Sequence, residues 1–408
     1  MKCIYCDHER EFNGEHVFPA GLGGDDSRYI LEKTVCAVCN TLFSKLETEL
    51  MQKSPTALAR IGMQPSGRNR GRQTKEPTLT TNATYIVGED GRLLEAYIGG
   101  GFKSIILPQL HIAGKTANLT AGNGDSLLGF LAELRSLIES EEFNLIRKVK
   151  GDGEASFEVS IVRAVGESYA IGPSIRVGKA PKKGLWVQFA EQGKEIENRF
   201  YRTKSNTLTY KTSVEDSLLP SLEFIRAYFK KYSSPGEWAE SVVEQPLVQV
   251  ETSVNLGMAD RAIAKIGINF LAYLKGSDYV RHPGFESVKK SILSDEPHLP
   301  WTHTENQRIV QLLGTPPASH HALMIAASPD PRGMTMIVMV LKLYGGTVHQ
   351  VRLAESVPHP GWTESQYFLI NYVSHEIRSI EMLEYMARYC DMDAVLGLLQ
   401  EDGGQLQS

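Results

Sequence analysis

The chain has 408 residues, with 43 lysines and arginines against 48 aspartates and glutamates, and a net charge of −5 that excludes a global attraction for polyanions. No apolar run approaches the ~18 residues that a membrane-spanning helix needs, so the composition, 42% hydrophobic and 22% charged, predicts a soluble globular chain with no membrane partner. No secretory leader is legible before Cys3 and the five cysteines are not spread as a disulfide framework, so the expectation is a reducing, cytoplasmic setting and two or three domains.

From the N-terminus, Cys3/Cys6 and Cys36/Cys39 form two Cys-x-x-Cys pairs with 29 residues between them. Two intervening residues let both sulfurs of a tight turn reach one ion at about 2.3 Å, and four thiolates close a tetrahedral zinc shell. Such a zinc is structural, because no coordination position stays open. The gap is longer than the ~15 to 20 residues of the simplest zinc ribbons, so it is expected to hold structure of its own. It contains Glu15-His16-Val17-Phe18-Pro19. Adjacent strand residues point to opposite faces unless a bulge or a strand end turns both toward one site, and a metal ligand beside a general base is one use of such a kink. Pro19 and the run Gly21-Leu22-Gly23-Gly24 end that strand. Tyr29-Ile30-Leu31 and Thr34-Val35 supply a second one. Apolar residues at 42, 43, 46 and 50 then predict a helix over 40–51, with a cap near Asn40. His8 has no such context and reads as a solvated loop residue.

The pattern CxxC, EHVFPxxLGG and VCxxCNxxFxxLE resembles the HNH endonucleases of ββα-metal fold, in the subgroup whose core reads EH then CN and whose zinc knuckles hold the hairpin to the helix. The resemblance covers about the first 52 residues. It implies a divalent Mg²⁺ or Mn²⁺ on Glu15 and Asn40, His16 as the general base, and duplex DNA as the substrate. Many members orient that histidine with a central asparagine. Residues 25–35 hold none, so orientation of His16 is expected from a backbone carbonyl or a side chain such as Glu32. A neutral histidine near its ordinary pKa of about 6.5 can activate water, and hard oxygen ligands suit Mg²⁺ or Mn²⁺.

Residues 51–75 carry Lys53, Arg60, Arg68, Arg70, Arg72 and Lys75 and no acid, and Pro55, Pro65, Gly67 and Gly71 are expected to interrupt helix and strand. This reads as a basic linker, 53–82, whose Arg60, Arg68, Arg70, Arg72 and Lys75 can track phosphates, or as a solvated connector. Beyond it, short β-like runs at 84–87 and 104–107 precede an amphipathic helix with Leu127, Phe130, Leu131, Leu134, Leu137 and Ile138 on one face. Residues 157–162 and 185–189 alternate as strands do. Ile263, Ile266, Phe270 and Leu274 repeat at helical spacing and predict a core helix. Residues 334–344 and 347–353 predict a hairpin about Gly345-Gly346, and His320-His321 reads as a loop or strand-edge pair.

The expectation is therefore an α+β chain of four regions: the zinc-stapled module 1–52, the linker 53–82, a mixed middle domain 83–250 and a helical and β-hairpin domain 251–408. Two functions stay open. One is a metal-dependent DNA endonuclease whose residues 83–408 sense an activating ligand or protein partner, by analogy a prokaryotic anti-phage effector. The other is a catalytically silent zinc knuckle that binds nucleic acid or a partner.

Overall fold

The computed structural model describes residues 1–24, 27–67, 69–70, 73–74, 76–149, 156–190, 196–231, 239, 245–294, 296–299, 307–329 and 334–393. They form a mixed α+β structure in two compact units, Met1–Asn82 with Gly99–Lys103 and Thr252–Ser408, and Ala83–Ile98 with Ser104–Glu251. Residues 1–52 and 252–408 thus belong to one unit, where 1–52 and 251–408 were expected as separate domains. The expected linker 53–82 belongs to it too.

In the first unit, β1 (Phe12–His16) pairs antiparallel with β2 (Ile30–Cys36), and α1 (Ala37–Gln52) follows without a loop. A second helix, α2 (Pro55–Met63), lies within the expected linker. Pro55 opens this helix rather than interrupting it. Its missing N–H is one that a first-turn residue would leave unpaired anyway, and the Ser54 side chain caps the end by accepting from the Thr56 N–H at 3.2 Å. Helix α3 (Leu256–Lys275) is buried along an unbroken run from Arg261 to Ala272, so it lacks a solvent face there. A five-stranded antiparallel sheet completes the unit. In chain order its strands are β3 (His320–Pro329), β4 (Thr335–Lys342), β5 (Val348–Val357), β6 (Gln366–Asn371) and β7 (Glu376–Ile380), and in space they run β5-β4-β3-β6-β7.

Helix α3 lies so close to the sheet that a Cβ on Gly267 would stand 2.6 Å from the Leu353 side chain and 3.1 Å from the Met339 sulfur. The hairpin between β4 and β5 turns one residue earlier than its glycines suggest. The central residues are Tyr344 and Gly345, both left-handed at φ 52° and 67°, with the Gly346 N–H donating to the Leu343 carbonyl at 2.9 Å.

The second unit holds a sheet of nine strands among the described residues. Helices Gly124–Glu139 and Leu218–Lys231 pack on it through Leu127, Phe130, Leu134, Leu222 and Ile225. A four-stranded sheet (Val248–Glu251, Ala83–Val87, Leu93–Ile98, Ser104–Ile106) belongs to the same unit. There the buried Glu95 carboxylate accepts from Lys211 at 3.0 Å and from Arg199 at 3.4 Å. Charges this far from water persist only when paired.

One hydrophobic cluster of the first unit contains Cys3, Phe18, Leu31, Phe43 and Leu50 together with Ile263, Ile266, Phe270, Leu353, Phe368 and Tyr372. The N-terminal segment therefore shares its core with residues hundreds of positions away. A fragment ending at residue 82 is expected to lack a cooperative unfolding transition even with zinc bound, since it is too short to bury a core alone once that partner surface is gone. A cooperative thermal melt of the zinc-loaded fragment, followed by far-UV circular dichroism, would show that the segment folds independently.

Candidate zinc centre and adjoining polar site

The first cysteine pair lies on a tight turn closed by the Asp7 N–H donating to the Cys3 carbonyl and the Cys3 N–H donating to the His8 carbonyl, both at 3.1 Å. Exposed His8 also takes part through its ring, whose Nδ1 lies 2.5 Å from the Cys6 carbonyl. In the second pair Cys36 is the N-cap of α1 and Cys39 stands in the helix's first turn. The four sulfurs lie within 4.8 Å of one another, with Cys3 and Cys39 at 3.9 Å and Cys6 and Cys36 at 3.7 Å. A tetrahedron with zinc–sulfur bonds of about 2.3 Å has edges of about 3.8 Å, so the cluster can hold a structural zinc ion. The contact with Cys39 draws the Cys3 thiol down to about 4 against the opposing effect of burial, and the same contact pushes the Cys39 thiol up.

Glu15 and His16 end β1 beside an irregularity. Asn13 faces Val35 but Glu15 faces Leu31, so Gly14 stands opposite three residues of β2, and Lys33 among them is left-handed at φ 52°. Glu15 is turned inward and is 5% exposed, His16 is half-buried, and Glu32 on the irregular stretch is exposed. Asn40 is not the helix cap. It stands one turn inside α1, where its Nδ2 donates to Glu15 Oε2 at 2.8 Å and to the Gly14 carbonyl at 3.3 Å.

The other Glu15 oxygen is occupied by residues of α3. Its Oε1 accepts from the Lys265 ammonium and, at 3.2 Å, from Asn269 Nδ2. Lys265, wholly buried, also donates to Glu47 Oε1 at 2.6 Å and lies over the Phe43 ring. Asn269 Nδ2 reaches the His16 carbonyl at 2.9 Å, and its Oδ1 accepts from the Tyr5 hydroxyl at 2.7 Å. Burial pushes the Glu15 carboxyl above its ordinary range, with Lys265 and Asn269 pulling it back. Burial also works against charge on Lys265, but Glu15 and Glu47 outweigh it and hold the ammonium protonated.

A divalent ion on Glu15 and Asn40 does not fit this arrangement. Glu15 Oε1 already faces an ammonium, and Oε2 faces the Asn40 amide nitrogen.

The loop after β1 is held just as tightly. Gly23 is left-handed at φ 93°, and a Cβ there would meet the Tyr372 backbone at 2.4 Å. The Gly21 carbonyl accepts from Arg60 Nε at 2.9 Å and from Gln64 Nε2 at 3.3 Å. Arg60 is 6% exposed and also donates to the Met51 carbonyl, so the phosphate contact expected of it is replaced by a structural one. Arg68, Arg72 and Lys75 lie outside the described residues, as does the side chain of Arg70, whose backbone pairs in Asn69–Arg70 with Gln73–Thr74.

His321 is neither a loop nor an edge residue. It sits fully buried on β3, the central strand of its sheet, with its Nε2 donating to the Leu22 carbonyl at 2.9 Å and its Nδ1 accepting from the Tyr344 N–H at 3.1 Å. Neighbouring His320 is half-buried, with Nδ1 on the Ala318 carbonyl.

Lys265, Asn269, Glu47 and Tyr5 had no place in the sequence reading of the site. A signal existed for two of them. Lys265 and Asn269 are polar residues at i, i+4 in the otherwise apolar run Ala262–Leu274, which puts both on one face of a helix with no wet side.

No family model matches the chain, and neither a curated protein nor a solved structure is found to be similar to it.

Purified protein is expected to carry one zinc per chain by elemental analysis, and Cys36→Ser/Cys39→Ser to lose it together with several kcal/mol of stability. Unchanged zinc in that double variant would rule the centre out. Burial holds His321 down to about 3, whereas an unfolded histidine titrates near 6.5. Between those values the unfolded chain binds the proton that the folded one refuses, so stability is lost as pH falls from about 6.5 toward about 3. His321→Gln should flatten that slope while costing about 1–3 kcal/mol at neutral pH. Denaturant titrations at pH 7, 5 and 4 compare the two slopes, and identical ones would contradict this account.

Proposed function

We propose that the N-terminal segment is an HNH-type nuclease site that hydrolyses DNA phosphodiester bonds, with His16 taking the proton from the attacking water. What supports the reading is the contact between Asn40 and Glu15 at 2.8 Å, beside half-buried His16 and next to the cysteine cluster. These are the three residue types that the resemblance assigns to the chemistry, drawn together from a strand end and the first turn of a helix. A half-buried imidazole at a strand end can accept a proton and still reach solvent. The Mg²⁺ or Mn²⁺ that the resemblance brings to Glu15 and Asn40 has no open oxygen there while Lys265 is in place. Sensing of a ligand or partner falls to the unit Ala83–Ile98 with Ser104–Glu251, since residues 252–408 share the core of the site. A cytoplasmic, anti-phage setting rests on analogy alone.

A second reading, a silent zinc module that binds nucleic acid or a partner, is favoured by one observation. The Lys265 ammonium fills the cation position at Glu15. Digestion of supercoiled plasmid separates the two readings. With Mg²⁺ or Mn²⁺, and with cell or phage-infected extract as a source of activator, the wild-type protein should nick and linearise DNA. His16→Ala should reduce the rate by about 10²- to 10⁴-fold at unchanged zinc content. Equal cutting by both proteins excludes His16 as the base, and cutting by neither under any condition selects the silent module. Glu15→Ala is the poorer probe, because removing one partner of a buried ion pair costs about 3–5 kcal/mol and confounds chemistry with folding.

A further inference from the structure

Asn269 is wholly buried on α3, and each polar atom of its side chain has a partner. Its Oδ1 accepts from the Tyr5 hydroxyl at 2.7 Å, while Nδ2 donates to Glu15 Oε1 at 3.2 Å and to the His16 carbonyl at 2.9 Å. The amide can stand only this way round. Turned over, its oxygen would face the His16 carbonyl and the Glu15 oxygen that already accepts from Lys265, two acceptors with no proton to share. Burial, reinforced by the Glu15 charge, keeps the Tyr5 hydroxyl protonated and therefore a donor. Tyr5 itself stands between Cys3 and Cys6, on the tight turn of the first cysteine pair.

The peptide between His16 and Val17 is gripped from both sides. Its carbonyl is held by Asn269, and its N–H, that of Val17, donates to the Tyr29 carbonyl at 2.9 Å. With that plane fixed, and the side chain of the preceding Glu15 on the same amide nitrogen, the direction in which the His16 side chain leaves the backbone is fixed too. The need for such a grip arises just upstream, where Gly14 stands in the irregular part of the β1–β2 pairing and regular strand geometry no longer dictates direction.

We propose that Asn269 is the positioning residue of His16, its amide carrying the geometry of the first cysteine turn across α3 to the end of β1. Its consequence for catalysis rests on the proposed reading of His16 as the base, but the positioning itself does not. The donor that aligns the imidazole thus lies 253 residues further along the chain, which makes α3 part of the site.

The test follows the His16 ring by nuclear magnetic resonance of the full-length, zinc-loaded protein with labelled histidines, the signal being assigned by its loss in His16→Gln. Asn269→Asp and Asn269→Leu keep the shape of the amide and remove its donors. Both should displace or broaden the His16 signal and shift its pH titration. Ile268→Ala, which opens a cavity on the same helix, should do neither. An unmoved His16 signal in the Asn269 variants overturns the proposal, as does an equal change in Ile268→Ala, which would trace to loosened packing alone. Zinc content and thermal unfolding certify each fold, and where one Asn269 variant fails that check the other decides. Loss of the fold in both assigns the amide to stability and overturns the proposal as well. In plasmid digestion the Asn269 variants should lower kcat by about 10²-fold with KM little changed, the cost of a misplaced reacting group. A displaced His16 signal with no cleavage by any protein removes the nuclease reading alone. Cleavage at the wild-type rate by the Asn269 variants removes this inference alone.

Discussion

The ammonium of Lys265, held out of water between Glu15 and Glu47, is the constraint around which the first unit is organised. It joins α3 to a residue 218 positions earlier in the chain. Taking three charges out of water costs more than an apolar replacement would, so the pairing is a poor source of net stability. Its effect is on geometry. Once the ammonium is buried, both carboxylates must stay within reach of it, which fixes the end of β1 against α1 and both against α3. Asn269 and Tyr5 extend the same lock, since the amide can satisfy Glu15, the His16 carbonyl and the Tyr5 hydroxyl only in one arrangement.

Around this lock two further devices hold the N-terminal segment. The cysteine cluster joins the start of the chain to the start of α1, and it works over short distances, through two knuckles whose four sulfurs can hold one zinc ion. The loop after β1 is held over long distances instead. Its Gly21 and Leu22 carbonyls are satisfied by Arg60, Gln64 and His321, and Gly23 lies against the backbone of Tyr372. Carbonyls in a buried loop need donors, and here the donors come from α2 and β3. His16 consequently stands at the junction of a hairpin tied by the cysteine cluster and a clamped loop.

Residues from 252 onward supply the cation and the amide that touch Glu15, and they share one hydrophobic cluster with the cysteine-bearing segment. The other unit has its own core and its own buried charges, with Glu95 between Lys211 and Arg199 and with His111 donating or accepting at Glu197 and Gln109.

What the sequence by itself determined is what depends on neighbours along the chain. Cys-x-x-Cys spacing places two sulfurs on one turn, so the cluster was legible. Helical period marked α3 and the helix Gly124–Glu139, alternation marked the strand Leu185–Phe189, and the Gly345-Gly346 turn marked the hairpin of β4 and β5. Local rules also misled where a residue type has two uses. Pro55 reads as a breaker but opens a helix, and Arg60 reads as part of a basic arm although a buried carbonyl claims its guanidinium. Only the tertiary structure decided that His321 occupies a central strand, that Asn40 and Glu15 meet, and that Lys265 and Asn269 reach them. The physical reason is that a buried polar group is defined by the partner that satisfies it. Here those partners lie on elements far apart in sequence, which no periodicity or spacing connects.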